Sequence, residues 1–189
     1  MSVLKFTIFG NKYRMGSYLL MFRISSPFQL AFGRFQQGKL FTITEGDYLY
    51  IGSALGRSGS PLARRLIRHA SRSGEKIPHE IRSDMINLFP EYGLSGSDLI
   101  EPSIKALRWH IDYLLDRPEA EITHVVVIRS GLRLEKKLSE LLEPLDETSP
   151  LAPRLGAGDM QHGTHILRLT DRNRILDLLV QHLPAIITE

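Results

Sequence analysis

The chain has 189 residues, enough for one well-cored domain and short for two. Hydrophobic residues make up 42% and charged residues 24%, an ordinary globular composition that excludes intrinsic disorder. Cysteine is absent, which excludes disulfides and thiolate metal sites and fits a cytoplasmic setting. Lys5, Thr7, Asn11 and Lys12 break up the N-terminal apolar stretch, so it does not read as a signal peptide. No apolar run approaches the roughly 20 residues that span a bilayer.

In chain order, strands come first. Ser17 to Arg23 is apolar and extended, and Gln29 to Phe35 and Leu40 to Thr44 are short runs joined by the turn at Gln36 to Lys39. In Tyr48 to Gly52 the period of two puts Tyr48 and Tyr50 on one face, with Leu49 and Ile51 on the other. The simplest arrangement is a meander of three or four antiparallel strands. Ser60-Pro61 then opens a helix to about Ser73. Leu62 and Leu66 face its core side, while Arg65, Arg68, His69 and Arg72 form a separate row.

Residues 74–103 are irregular and rich in Pro and Gly, and read as an insertion with a short helix near Glu80 to Leu88. A helix is expected over Ile104 to Leu115, a β-branched strand over Glu121 to Ile128, and an amphipathic helix from Leu132 to about Glu143. The glycine-bearing loop Leu155 to Thr164 leads to a strand at His165 to Leu169 and a last helix at about 171–183. Strands first, then helices mixed with single strands, predict a single α+β domain: a small, mainly antiparallel sheet flanked by helices, with an inserted segment.

The distribution of charge is more informative than its +3 total. Seventeen of the 24 basic residues are Arg, whose planar fork grips phosphate in bidentate fashion. No acid lies between Asp47 and Glu75, where Arg57, Arg64, Arg65, Arg68, Arg72 and His69 fall together. Such a run is normally kept apart or neutralised by a polyanion, and nucleic acid is the common one.

Tyr50-Ile51-Gly52-Ser53-Ala54, followed by Arg64-Arg65-Leu66-Ile67-Arg68-His69, resembles the second half of the GIY-YIG nuclease signature. Gly16-Ser17-Tyr18 stands where the Gly-Ile-Tyr half falls, and residues 19–47, longer than the usual compact hairpin, separate the two. Trp109-His110-Ile111-Asp112-Tyr113-Leu114-Leu115, Gly156-Ala157-Gly158-Asp159 and Gly163-Thr164-His165 resemble a sparsely characterised branch. Its members occur alone or fused to endonuclease III-type repair enzymes.

The resemblance implies a metal-dependent endonuclease acting on DNA before RNA, with repair as its setting. By position it implies Tyr18 and Tyr50 at the catalytic sheet, one as general base and the other holding water or phosphate. Arg65 would stabilise the scissile phosphate, His69 would flank it, and His110 would add a polar group. Arg57, Arg64, Arg68 and Arg72 would bind the nucleic-acid backbone. Glu135 would hold one divalent ion, Mg²⁺ or Mn²⁺. A tyrosine with a pKa near 10 needs a nearby cation to act as a base, and the arginine row is expected to supply it.

Blander readings stand beside these. Tyr48 and Tyr50 also read as packed aromatics, Glu135 as an exposed residue near a helix N-terminus, His110 as a satisfied buried histidine, and Trp109 as core. Asp159, His162 and His165 invite a metal site with His110, but the glycines argue against the helix that His162 and His165 need. A catalytically silent nucleic-acid-binding module is the alternative function, and residues 74–103 are a candidate surface for a protein partner.

Overall fold

The computed structural model describes residues 5–96, 105–153, 155 and 165–188. Its centre is a six-stranded sheet in the order β1-β6-β2-β5-β8-β7. The strands are β1 (Phe6–Phe9), β2 (Gly16–Ile24), β5 (Gly46–Ala54), β6 (Ala120–Arg129), β7 (Thr148–Pro150) and β8 (Ile166–Leu169). All neighbours are antiparallel except the edge strand β1, which runs parallel to β6. The α+β class and its mainly antiparallel sheet are as expected.

The sheet is covered on both faces, and the alternation along its strands decides which side chain goes where. Tyr18, Leu20, Phe22, Tyr48, Tyr50, Val125 and Val127 share a core with α1 (Pro61–Ala70), α2 (Ile81–Glu91) and α3 (His110–Leu115). Leu19, Met21, Leu49, Ile51, Val126 and Ile128 pack on the other face against α4 (Glu135–Leu142) and α5 (Arg172–Thr188). A strand buried on both faces contributes nearly every residue to a core, and so β2 and β5 read as almost continuous apolar runs.

The expected meander is not the arrangement found. β2 pairs directly with β5 along its whole length, from Gly16 opposite Ala54 to Ile24 opposite Gly46. Between them, β3 (Phe28–Ala31) and β4 (Leu40–Ile43) form a separate two-stranded sheet, joined through a 3-10 turn at Phe35–Gly38. The excursion is held by its own apolar side: Phe32 and Ile43 are buried, and Phe28, Leu30, Phe35 and Phe41 pack against the α1–α3 core. The long spacing between the two tyrosine motifs is thus an added hairpin that leaves the β2–β5 ladder intact.

Two further expectations change. The first half of the 74–103 segment is structural, because Ile81, Met85 and Phe89 of α2 are buried in the same core. Ile77 and Tyr92 are its large exposed apolar residues. The helix expected over Ile104 to Leu115 is confined to α3, since residues 105–108 are non-helical. The rest of that segment, at 97–103, and the 156–164 loop with Asp159 and His162 lie outside the described residues. Among the described residues no helix is long and apolar enough to cross a membrane.

Candidate functional site

The open ends of β2 and β5 meet the N-terminal half of α1, and there a cleft of about 620 Å³ is lined by Ser53, Ala54, Gly56, Arg64, Arg65, Arg68 and Arg133, among others. Tyr18 and Tyr50 project toward α1 from adjacent strands, with ring centroids 6.2 Å apart. Tyr18 lies opposite Gly52 in the ladder. A Cβ on Gly52 would come within 2.6 Å of the Tyr18 ring and hydroxyl. Gly52 is therefore a strand residue, within β5, that leaves room for the Tyr18 ring.

His69 reaches the tyrosines from the inner side of α1. Its Nε2 lies 2.8 Å from the Tyr18 hydroxyl, and its ring is 5.9 Å from that of Tyr50. Its Nδ1 faces Asp112 Oδ1 at 3.3 Å. Burial pushes the His69 pKa down from 6.5 to about 4, against the opposing pull of Asp112. The expectation that arginines lower the tyrosine pKa is not met in this geometry. Burial raises Tyr18 and Tyr50 above the ordinary tyrosine range, outweighing the lowering by Arg65.

The arginine row divides into parts with different work. Arg65 and Arg68 both lie over the half-buried Trp109 ring, their guanidinium carbons 3.9 and 4.4 Å from its centroid. Trp109, expected in the core, packs against it and also presents its ring to these two cations. Arg68 makes a bidentate pair with the buried Asp112, both bonds 3.0 Å. Arg72 bonds Glu121 and the carbonyls of Ala120 and Ile77. Arg68 and Arg72 are thus neutralised from within, which corrects the view that a polyanion must balance the whole run. Arg57 and Arg64 are the exposed members.

Glu135 opens α4 on the opposite side of the sheet end. One carboxylate oxygen accepts a 2.5 Å hydrogen bond from Ser53 Oγ. The other, Oε2, is buried without a hydrogen-bond partner, and Arg133 lies 3.8 Å from it. The reading of Glu135 as an exposed helix-end residue is set aside, since it is about nine-tenths buried. Tyr18, Tyr50, Arg65, His69 and Glu135 share one region, and the Glu135 charge acts on both tyrosine hydroxyls. His110 is turned elsewhere. Its ring lies tilted against Phe35 at 5.0 Å and edge-on to Phe32 at 6.2 Å, and burial lowers its pKa.

The family model described as Domain of unknown function DUF123 matches residues 17–188, from the first tyrosine motif through α5. The chain belongs to this family. No curated protein and no solved structure matches it. The matched span of this DUF123 chain takes in every site residue described above.

Three residues of the site were missed from sequence. Ser53 meets Glu135 only through the fold, from 82 residues away, whereas Arg133 is its near neighbour in sequence. Asp112 lies 44 residues beyond Arg68, and its one sequence signal was its place in the Trp109 block.

Buried neutral histidine makes this DUF123 chain acid-sensitive. The unfolded chain takes up a proton at His69 below about pH 6.5, whereas the folded one resists until about pH 4. Stability therefore falls as pH is lowered through that window, by about 2 kcal/mol from His69 between pH 7 and pH 5. His79, buried with its pKa lowered chiefly by desolvation, adds in the same direction. Urea unfolding at the two pH values is expected to show this loss, and a smaller one in His69→Gln. Equal losses in both proteins refute the assignment.

Proposed function

We propose that the chain is a metal-dependent endonuclease of GIY-YIG type, hydrolysing phosphodiester bonds in DNA in preference to RNA, in a cytoplasmic setting. The observation that carries this reading is the arginine-lined cleft that Arg65 and Ser53 share, with the Tyr18, Tyr50 and His69 cluster buried beside α1 and Glu135 bonded to Ser53.

Hydrolysis loads negative charge onto the non-bridging phosphate oxygens, and preset cations offset it where it develops. Arg65, held over the Trp109 ring, is the residue that meets that charge, with the exposed Arg64 and Arg57 on the approach. Tyr18 passes its proton to His69 Nε2 and then takes one from the attacking water, while the Tyr50 hydroxyl orients that water. The buried Oε2 of Glu135 suits a hard cation, because it accepts no hydrogen bond and its contact with Arg133 is as long as 3.8 Å. Among the described residues no group of three or more His, Asp or Glu is arranged to hold a metal. One carboxylate with water and substrate oxygens suits Mg²⁺ better than a transition metal. When bound, Mg²⁺ supplies Lewis acidity toward the phosphate and draws down nearby pKa values.

The test is incubation of purified protein with nicked, branched, single-stranded and duplex substrates, with Mg²⁺ or with chelator. Cleavage is expected with Mg²⁺, falling about 10²-fold or more in Glu135→Ala. Cleavage that ignores both chelator and this substitution sinks the proposal.

One observation favours the silent binding module: Tyr18 is fully buried and its hydroxyl is held in the protonated form. That reading predicts salt-sensitive nucleic-acid binding without turnover under any metal.

A further inference from the structure

Asp112 stands outside the GIY-YIG signature, yet more charged and polar groups converge on it than on any of the tyrosines. Both terminal nitrogens of the Arg68 guanidinium donate to it at 3.0 Å. The backbone N–H groups of Arg108 and Trp109 donate to Oδ2 at 2.9 and 3.0 Å, fixing the carboxylate at the start of α3. Its side chain is completely buried. Every one of these partners is a donor, so the carboxylate is ionised and can only accept.

Oδ1 also lies 3.3 Å from His69 Nδ1; the pair falls short of hydrogen-bond geometry, but the charge of the carboxylate favours a hydrogen on the nitrogen that faces it. A bare Nδ1 would set two lone pairs against each other in a buried site. Nδ1 therefore carries the hydrogen, and Nε2 is left bare toward the Tyr18 hydroxyl at 2.8 Å. The other groups facing the ring are the Tyr50 and Trp109 rings, and the positive charges of Arg65 and Lys105 disfavour a second ring proton. Burial of the ring acts the same way.

We infer that Asp112 is a positioning residue: clamped by Arg68 and the α3 N-terminus, it fixes the His69 tautomer so that Nε2 can accept the Tyr18 proton. It also stabilises the imidazolium formed when that proton moves. The tyrosine O–H bond breaks, the Nε2–H bond forms, and the charge pair created is tyrosinate and imidazolium, with Asp112 remaining ionised. The logic is that of a carboxylate holding a catalytic imidazole. The catalytic use rests on the nuclease reading above, whereas the tautomer does not.

The experiment is long-range ¹H–¹⁵N NMR of the full chain near pH 7, with the His69 ring assigned by its loss in His69→Gln. Protonated Nδ1 and bare Nε2 are expected in the wild-type protein. Asp112→Asn is expected to move the ring toward protonated Nε2 and to lower DNA cleavage about 10²-fold or more at unchanged DNA affinity. A wild-type ring protonated on Nε2 overturns the inference whether or not Asp112→Asn folds. An Asp112→Asn protein with wild-type tautomer and rate overturns it too. If the wild-type protein shows the expected tautomer but cuts nothing under any metal, the nuclease reading fails and the catalytic use of the pair is overturned with it.

Discussion

Gly16→Ala is expected to unfold the protein or to cost at least about 4 kcal/mol. Gly16 begins β2 with φ +152°, paired to Ala54 on one side and to Arg129 on the other. A Cβ there would lie 1.9 Å from the carbonyl oxygen of Ile128 and 2.9 Å from the backbone nitrogen of Ser130. Both obstacles are backbone, so no side chain can swing away. Relief requires β2 and β6 to separate at the end where Tyr18 and Tyr50 sit. Gly74→Ala is the control: its φ of +62° is also left-handed, but nothing lies within 4 Å. It should cost only about 1–2 kcal/mol. Urea unfolding of both variants decides the matter, and losses of similar size would show that the β2–β6 contact is not the cause.

Arg68→Ala is expected to cost roughly 3–5 kcal/mol, far more than a surface arginine is worth. The variant leaves the Asp112 carboxylate fully buried and stripped of its two guanidinium bonds. What would remain are two backbone donors and a neutral histidine. Arg64→Ala, one turn away and exposed, should stay within about 0.5 kcal/mol. Thermal melts of the two variants side by side make the comparison, and equal stabilities would refute the clamp. Arg64→Ala should instead weaken DNA binding in a salt-dependent way, because its guanidinium lines the cleft.

Elements with a strong period were legible in the sequence. The alternation of Tyr48, Leu49, Tyr50 and Ile51 places each on the face it occupies, and Leu62 and Leu66 mark the inner side of α1. What the sequence hid was pairing at a distance. Arginines 64 to 72 look unopposed because their acids, Asp112 and Glu121, come from α3 and β6, more than 40 residues downstream. Nothing local distinguishes Arg68, bound internally, from the exposed Arg64. The β3–β4 hairpin was read as part of the main sheet because its alternation is the same whichever sheet it joins. His110 follows Trp109 in the same block, but Trp109 is the extended residue before α3 and His110 its first helical residue, so the His110 ring goes to Phe32 and Phe35.

The parallel edge strand has a consequence for synthesis. β1 is made before the other strands, yet among the described residues its one neighbour in the sheet is β6, with Phe6 opposite Val125. β2 also borders β6, from Gly16 opposite Arg129 to Ile24 opposite Ala120. During translation the β2–β5 ladder can close early, while β1 and one side of β2 wait with bare edges until β6 leaves the ribosome. Loop closure over so many residues slows the last step, and unpaired edges invite association with other chains. The nascent chain is most in need of a chaperone in that interval.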